Sequence, residues 1–516
     1  MTLLAEVVGA SARATETSSR NAKVRELAGC LRRLASEEIE IAVAFLTGKT
    51  RQGRLGIGYL TLQEVRGAAG TRQPSLTLRE ADAAFAEIAA AGGKGSTAER
   101  ARRLAALFAR ATHKEQDFLV RLIAGELRQG ALDGLMREAI ATAADLPLAG
   151  VRRAAMFAGG IGAVAQAALT EGAAGLARFS IQLLQPVLPM LAQPAEDTAA
   201  ALDELGTAAL EWKLDGARVQ AHKAGDEVRV YTRNLNDVTA AVPEIVQIVR
   251  AARARDVILD GEAIALRADA TPHPFQVTMR RFGRKLNVEA MWRELPISVF
   301  FFDCLRRDDE ALVDARGEER FHALTGILPP GVIIPRLVTA DRNAAEAFFM
   351  DALRQGHEGV MAKSPSAAYE AGHRGSNWLK VKRAYTLDLV VLAAEWGHGR
   401  RRGWLSNLHL GARDSNSGGF VMLGKTFKGL TDEMLEWQTR ELLKREIARD
   451  EWTVYVKPEL VVEVAFNEVQ ASPQYPGGLA LRFARVKAYR PDKRPGEADT
   501  MESVRQIHAA RVARTA

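Results

Sequence analysis

Through the first 185 residues, apolar side chains recur at intervals of three and four. Val24, Leu27, Leu31 and Leu34 form one such stripe, and that spacing puts them on one helical face. The same periodicity predicts helices over 80–91, 97–111, 114–128 and 130–144, with glycine-rich breaks such as Ala91-Gly92-Gly93 between them. Around Pro186, Pro189 and Pro194 the pattern stops, as expected of a linker. Beyond it, period-two alternation predicts strands at 208–213, 218–223 and 227–232, a meander turned at Asp215-Gly216 and Ala224-Gly225-Asp226. A helix over 239–253, strands at 257–266 and 297–304, a helix over 343–355 and strands at 359–363 and 378–383 follow. From 384 onward the pattern predicts short strands at 387–393, 405–412, 419–423, 461–466 and 481–489, interrupted by a helix over 431–447.

These elements sort into three parts. Residues 1–185 read as an all-α domain, 186–383 as an α+β domain with antiparallel sheets, and 384–516 as a small β-barrel with an inserted helix. A length of 516 residues suits about three domains. The apolar run at 154–169 is short for a membrane span and is built from Ala and Gly, so it reads as tightly packed soluble helices.

The net charge is +7, distributed as +6 over 1–185, −2 over 186–383 and +3 over 384–516. A basic excess concentrated in one region suits a polyanion partner, although a solvated basic surface produces the same excess. Lys49, Arg51, Arg54, Arg128, Arg152 and Arg153 fall near predicted helix ends or in loops, as solvated groups or as contacts to duplex phosphates. Cys30 and Cys304 are the two cysteines, far apart and without a CxxC or Cys/His cluster. That argues against a zinc site and a disulfide scaffold, and fits a reducing cytoplasm. The N-terminus has no charged-then-apolar signal pattern, so a cytoplasmic location and no membrane association are expected.

The candidate chemistry starts at Glu211-Trp212-Lys213-Leu214-Asp215-Gly216-Ala217-Arg218. On a strand, Glu211, Lys213 and Asp215 share one face. One reading is a salt-bridged surface lysine; the other is a lysine nucleophile, which must lose its proton before it attacks. Charged clusters follow in order: Tyr231-Thr232-Arg233-Asn234, Leu259-Asp260-Gly261-Glu262, Phe300-Phe301-Phe302-Asp303, Glu358 to Lys363, Trp378 to Lys382, and Leu481 to Lys487 trailed by Arg490 to Lys493.

Over these seven blocks the sequence resembles the ATP-dependent DNA ligases, within the covalent nucleotidyltransferase superfamily that also holds RNA ligases and mRNA capping enzymes. Residues 125–130, Gly-Glu-Leu-Arg-Gln-Gly, are similar to part of the helical DNA-binding domain of longer ligases. The resemblance implies a helical DNA-binding domain, an adenylation core and a mobile OB-fold barrel. It implies sealing of 5′-phosphate/3′-hydroxyl nicks in duplex DNA, with ATP as co-substrate and Mg²⁺ as cofactor, by a protein expected to be a monomer. Lys213 would be the nucleophile. Lys380 and Lys382, two apart and so on one strand face, would reach the α-phosphate and depress the Lys213 pKa. Glu262 and Glu358 would hold the metal, a hard cation that takes oxygen ligands, with Glu262 also near the ribose. Phe302 would stack on adenine, where core packing is its plainer reading. Glu211 would read the exocyclic amine of the base. Arg218 and Arg233 would contact ribose and phosphate, and Arg374 would be a further nucleotide-site arginine. On the barrel, Arg482, Arg485, Lys487 and Lys493 would orient pyrophosphate.

Thr232 stands where the family commonly has serine, which keeps the hydroxyl. The absence of a zinc finger or helix-hairpin-helix pair favours ATP over NAD as the adenylate donor. Two alternatives remain at this point: an RNA ligase or capping-type nucleotidyltransferase, and a nucleic-acid-binding clamp without chemistry.

Overall fold

The computed structural model describes the chain apart from residues 54, 66–69, 94, 128–132, 283–291, 371–373, 384, 416 and 516, and apart from the side chains of 59, 63, 374 and 510–515. Arg54, Arg128 and the end of the 125–130 segment therefore lie outside the described residues.

The N-terminal region is helical, and its apolar stripes meet in one core running from Leu4 to Leu176. The caps follow from the sequence. Thr112 accepts a hydrogen bond from the Glu115 backbone, and Glu115 accepts one in return, which starts the helix His113–Ala124; Gly125, at φ 70°, ends it in the left-handed conformation that glycine tolerates. The alanine- and glycine-rich run falls in two packed helices, Leu148–Phe157 and Ile161–Ala177. No helix among the described residues is long and apolar enough to cross a membrane.

Two five-stranded sheets follow. The first contains β1 (Leu191–Pro194), β2 (Ala208–Lys213), β8 (Arg336–Thr339), β9 (Gly359–Lys363) and β10 (Arg374–Lys382), in the order β1-β10-β9-β2-β8. The second contains β3 (Ala217–Ala224), β4 (Glu227–Thr232), β5 (Asp256–Ala265), β6 (Ile297–Arg307) and β7 (Glu310–Ala311), in the order β4-β3-β5-β6-β7. All pairings are antiparallel except β1 with β10.

The meander is therefore corrected. β3 and β4 pair, but β2 and β3 belong to different sheets, and Leu214–Gly216 carries the chain across. Gly216 permits the crossing, because a Cβ there would sit 2.4 Å from the Ala263 carbonyl oxygen.

Strand alternation places the site. In the first sheet Leu210, Val360, Ala362, Leu379 and Val381 pack on the helices Thr198–Leu205 and Arg342–Arg354. Glu211, Lys213, Met361, Lys363, Lys380 and Lys382 are left on the opposite face. In the second sheet Val219, Ala221, Leu259 and Phe301 pack against the helices Pro243–Arg250 and Gly317–Ile327, leaving Arg218, Gln220 and His222 on the other side of β3.

The C-terminal region is a barrel-like sheet of β11 (Tyr385–Trp396), β12 (Leu405–Arg413), β13 (Phe420–Thr426), β14 (Glu446–Arg449), β15 (Thr453–Val456), β16 (Val461–Phe466) and β19 (Arg485–Tyr489). A small ribbon of β17 (Glu468–Ala471) and β18 (Leu479–Arg482) accompanies it. The helix Asp432–Lys444 packs into the barrel core. The single strand expected over 481–489 is two strands, because Phe483 turns at φ 58° between them.

Candidate active site

The polar faces of the two sheets enclose a cleft of about 760 Å³. Glu211, Lys213, Arg218, Arg233, Glu262, Phe302, Lys380 and Lys382 all line it, so most of the residues singled out in the sequence meet in one place. Arg374 begins β10, and its side chain lies outside the described residues.

At one end of the cleft Lys213 ion-pairs with Glu358, whose same Oε2 is 2.6 Å from the Lys382 ammonium. Burial works to lower the Lys213 pKa, but Glu358, Glu262 and Asp215 outweigh it and hold the ammonium above the ordinary lysine value. This corrects the expectation of a depressed value. In this structure the carboxylates beside Lys213 prevail, and Lys382 spends its charge on Glu358. Burial also opposes the charge on Glu358, yet the two lysines pull its carboxyl below the usual range. Glu262, half-buried, makes no ion pair within 4 Å among the described residues, and burial pushes its carboxyl up to about 7.

The other end is aromatic and closed. Phe302 and Trp378 meet edge to face with ring centroids 6.0 Å apart. The Lys363 ammonium is 4.1 Å from the first ring centroid and 4.2 Å from the second, and 2.5 Å from Glu211 Oε2. Burial lowers the Lys363 pKa against the pull of Glu211. Glu211 Oε1 is buried without a hydrogen-bond donor among the described residues, an acceptor at the base of the cleft. Sequence reasoning quoted Lys363 but gave it no role; its spacing of two from Met361 on β9 was the available signal.

Arg218 is held on every side. Its Nε and Nη2 donate to Asp260 at 3.0 and 2.6 Å, Nη1 donates to the Met190 carbonyl at 2.6 Å, and Nη2 also donates to the Tyr369 hydroxyl at 3.2 Å. Four of the five guanidinium N–H groups are thus engaged, leaving one on Nη1. The next two residues on that face of β3 grip the same incoming segment. Gln220 accepts from the Val187 N–H at 2.7 Å and donates to its carbonyl at 3.2 Å. The Leu184 N–H donates to His222 Nδ1 at 3.0 Å, which leaves the ring proton on Nε2, donated to Gln220. The proline-rich linker is thereby strapped along β3, and Arg218 is the last buckle.

The barrel meets the cleft's lysine end. Asp215, Glu358, Lys382, Arg482 and Phe483 line a smaller gap of about 150 Å³. Arg482 pairs with Glu468 at 2.8 Å, and that bond, followed by weaker pulls from Asp215 and Glu358, raises its pKa. Lys487 reaches Glu196, just beyond β1, at 3.0 Å. Arg485 is half-buried on β19. Lys493 stands apart, bound 2.5 Å from Asp388, a buried carboxylate of β11 that also takes Arg490.

Among the described residues no group of three or more His, Cys, Asp or Glu side chains forms a ready-made metal centre. Comparison with known proteins agrees with the geometry. Three family models match the chain: "ATP dependent DNA ligase domain" over residues 189–382, "ATP dependent DNA ligase C terminal region" over 401–493 and "DNA ligase N terminus" over 57–141. A "Probable DNA ligase" of Sorangium cellulosum is 59% identical over 99% of this chain and 96% of its own. Another "Probable DNA ligase", of Mycobacterium marinum, is 53% identical over 98% of this chain and all of its own. A solved structure named "Pmar-Lig_Pre." shares the fold, with a TM-score of 0.61, 18% identity and coverage of 94% of this chain and 99% of that one. A lysine paired to a carboxylate, at one end of the cleft between the two sheets and beside the barrel, thus sits in a chain that belongs to the ATP-dependent DNA ligase family.

Proposed function

We propose that this protein seals 5′-phosphate/3′-hydroxyl nicks in duplex DNA through a covalent adenylate on Lys213. In the first step Lys213 Nζ, once neutral, attacks the α-phosphorus of ATP; an N–P bond forms and the bond to pyrophosphate breaks. In the second, an oxygen of the nick's 5′-phosphate attacks the same phosphorus and the N–P bond breaks, leaving AMP on the DNA. In the third, the 3′-hydroxyl attacks the 5′-phosphorus, loses its proton and expels AMP.

Each residue has a task in these steps. Lys380 and Lys382 stand beside Lys213 to offset charge on the α-phosphate. Phe302 offers its face to adenine, Glu211 Oε1, 3.8 Å from the Arg336 guanidinium and without a hydrogen bond among the described residues, accepts from the adenine amine, and Arg218 and Arg233 take ribose and phosphate oxygens. Arg374 adds to the nucleotide site. Arg482, Arg485 and Lys487 belong to the barrel edge that would orient pyrophosphate; Lys493, committed to Asp388, would have to exchange that partner to join them. Glu262 and Glu358 fit a hard cation, since burial raises the Glu262 carboxyl against the pull of Lys213 and Arg218, a cation would relieve that cost, and such ions complete a sparse protein site with phosphate oxygens and water. Mg²⁺ bound there would supply Lewis-acid stabilisation of phosphate charge.

The chain acts as three units, 1–185 on the duplex, 186–383 for adenylation and 384–516 as the moving barrel, and works as a cytoplasmic monomer. The observation that carries this reading is the pairing of Lys213 with Glu358 and Lys382 at the end of the cleft. Incubation with Mg²⁺ and α-labelled ATP, followed by denaturation, should leave label on the wild type and none on Lys213→Ala. A chase with nicked duplex should move the label to DNA and yield a sealed strand. Label retained by Lys213→Ala would overturn the nucleophile.

A further inference from the structure

Tyr369 lies on neither sheet: it belongs to the segment between β9 and β10, where its backbone N–H donates to the Val313 carbonyl at 2.8 Å. The side chain is 3% exposed, and its ring stands edge-on to Trp378 with centroids 5.8 Å apart. Its hydroxyl touches three other segments. It donates to Asp260 Oδ2 of β5 at 2.7 Å, and it accepts from Arg218 Nη2 of β3 at 3.2 Å and from the Met190 N–H of the linker at 3.1 Å.

The direction of each bond is forced. A backbone N–H and a guanidinium can only donate, so the phenol's single proton must go to the carboxylate, and both of its lone pairs are used. A fully satisfied hydroxyl in a buried network has one orientation, and it transmits that orientation to its partners. Arg218 already has a bidentate hold on Asp260, which fixes the plane of the guanidinium. Tyr369 closes the remaining freedom by binding the same Nη2 and the same Asp260 oxygen, while Met190 engages both Tyr369, through its N–H, and Arg218, through its carbonyl.

We propose that Tyr369 is a positioning residue for nucleotide binding: its hydroxyl sets the Arg218 guanidinium, ties it to the linker from the N-terminal region, and leaves the last Nη1 hydrogen for the nucleotide. This rests on the reading of the cleft as the nucleotide site. Tyr369 touches no substrate; it acts through Arg218, so its removal disturbs ground-state binding more than the chemical step.

The test is a mutant cycle in the full-length protein, with Tyr369→Phe, Arg218→Lys and the double variant. Single-turnover formation of lysyl-AMP is followed across ATP concentrations, with thermal midpoints measured alongside. Loss of one hydroxyl should raise the half-saturating ATP concentration by about two- to tenfold, with the plateau rate nearly unchanged. The double variant should match Arg218→Lys, because a residue acting through Arg218 adds nothing once that guanidinium is gone. Multiplicative effects in the double variant, or an unchanged half-saturation in Tyr369→Phe, overturn the proposal. If Tyr369→Phe folds poorly, Asp260→Asn takes its place in the cycle: the same rise with the same non-additivity supports the network, and independent effects overturn it. A wild type that takes no label brings down the cleft reading and this proposal together; a labelled wild type beside an indifferent Tyr369→Phe brings down this one alone.

Discussion

Lys213 holds its proton tightly, and the proposed attack on ATP requires its loss. Its pKa stands above the ordinary lysine value because Glu358, Glu262 and Asp215 overcome the effect of burial. Below that value the neutral fraction grows tenfold per pH unit, so self-adenylation at saturating ATP should climb steadily from pH 6 to 9. Glu262 works in the same direction at the lower end: with its carboxyl up at about 7, the ionised form that the proposed cation site requires accumulates only as pH rises through that value. Replacing it in Glu262→Gln should flatten the part of the profile below pH 7 and lower the whole curve. Single-turnover rates across this range are the check, and a wild-type profile that is flat from pH 6 to 9 would contradict the need to deprotonate Lys213. The grouping of the candidate residues was legible at this scale because strand spacing puts them on one face: Lys213, Lys380, Lys382 and Glu358 are in one cluster. Their electrostatic balance was not, since Glu358 lies 145 residues from Lys213 in sequence and only the fold shows which charge each ammonium meets.

The strap along β3 makes an element-scale prediction. Burial drives the His222 pKa down to about 3, from about 6.5 in an unfolded chain. The unfolded chain therefore binds the extra proton between those values. The contribution of neutral His222 to stability is complete above about pH 6.5 and is lost as pH falls towards 3. At pH 4.5 the loss would be on the order of 2–3 kcal/mol, and protonation would also take Nδ1 away from the Leu184 N–H. The thermal midpoint of wild type should drop more between pH 7 and 4.5 than that of His222→Gln; equal drops would refute the assignment. At this scale strands and helices were mostly readable from periodicity: β2, β4, β9 and β16 coincide with their expected limits. What periodicity misses is partnership. The 208–213 and 218–223 segments look like a hairpin, yet Gly216 lets the chain pass close under Ala263 into another sheet. Phe483, with a left-handed backbone that few bulky residues adopt, likewise splits a strand that alternation alone would join.

Across the whole molecule, ion pairs hold the parts together at their rims. Arg153 of the helical region reaches Asp314 at 2.5 Å, and Lys487 of the barrel reaches Glu196 at 3.0 Å. These pairs are exposed, individually weak and screened by salt. Duplex binding should be more sensitive to salt, because each neutralised phosphate releases counterions. With the nicked duplex below saturation, sealing should fall at least about tenfold between 50 and 200 mM NaCl, while self-adenylation without DNA changes far less. Equal sensitivity of the two steps would argue against a grip made through phosphates. The strap at Leu184, Val187 and Met190 has a different bearing, on how freely such an enzyme can be recombined. A chimera that exchanges the helical region with a junction at residue 195 would discard the backbone that His222, Gln220 and Arg218 hold, even though every cleft residue remained. The transplantable core begins upstream, at or before Leu184, so the linker and the floor of the cleft are inherited as one piece.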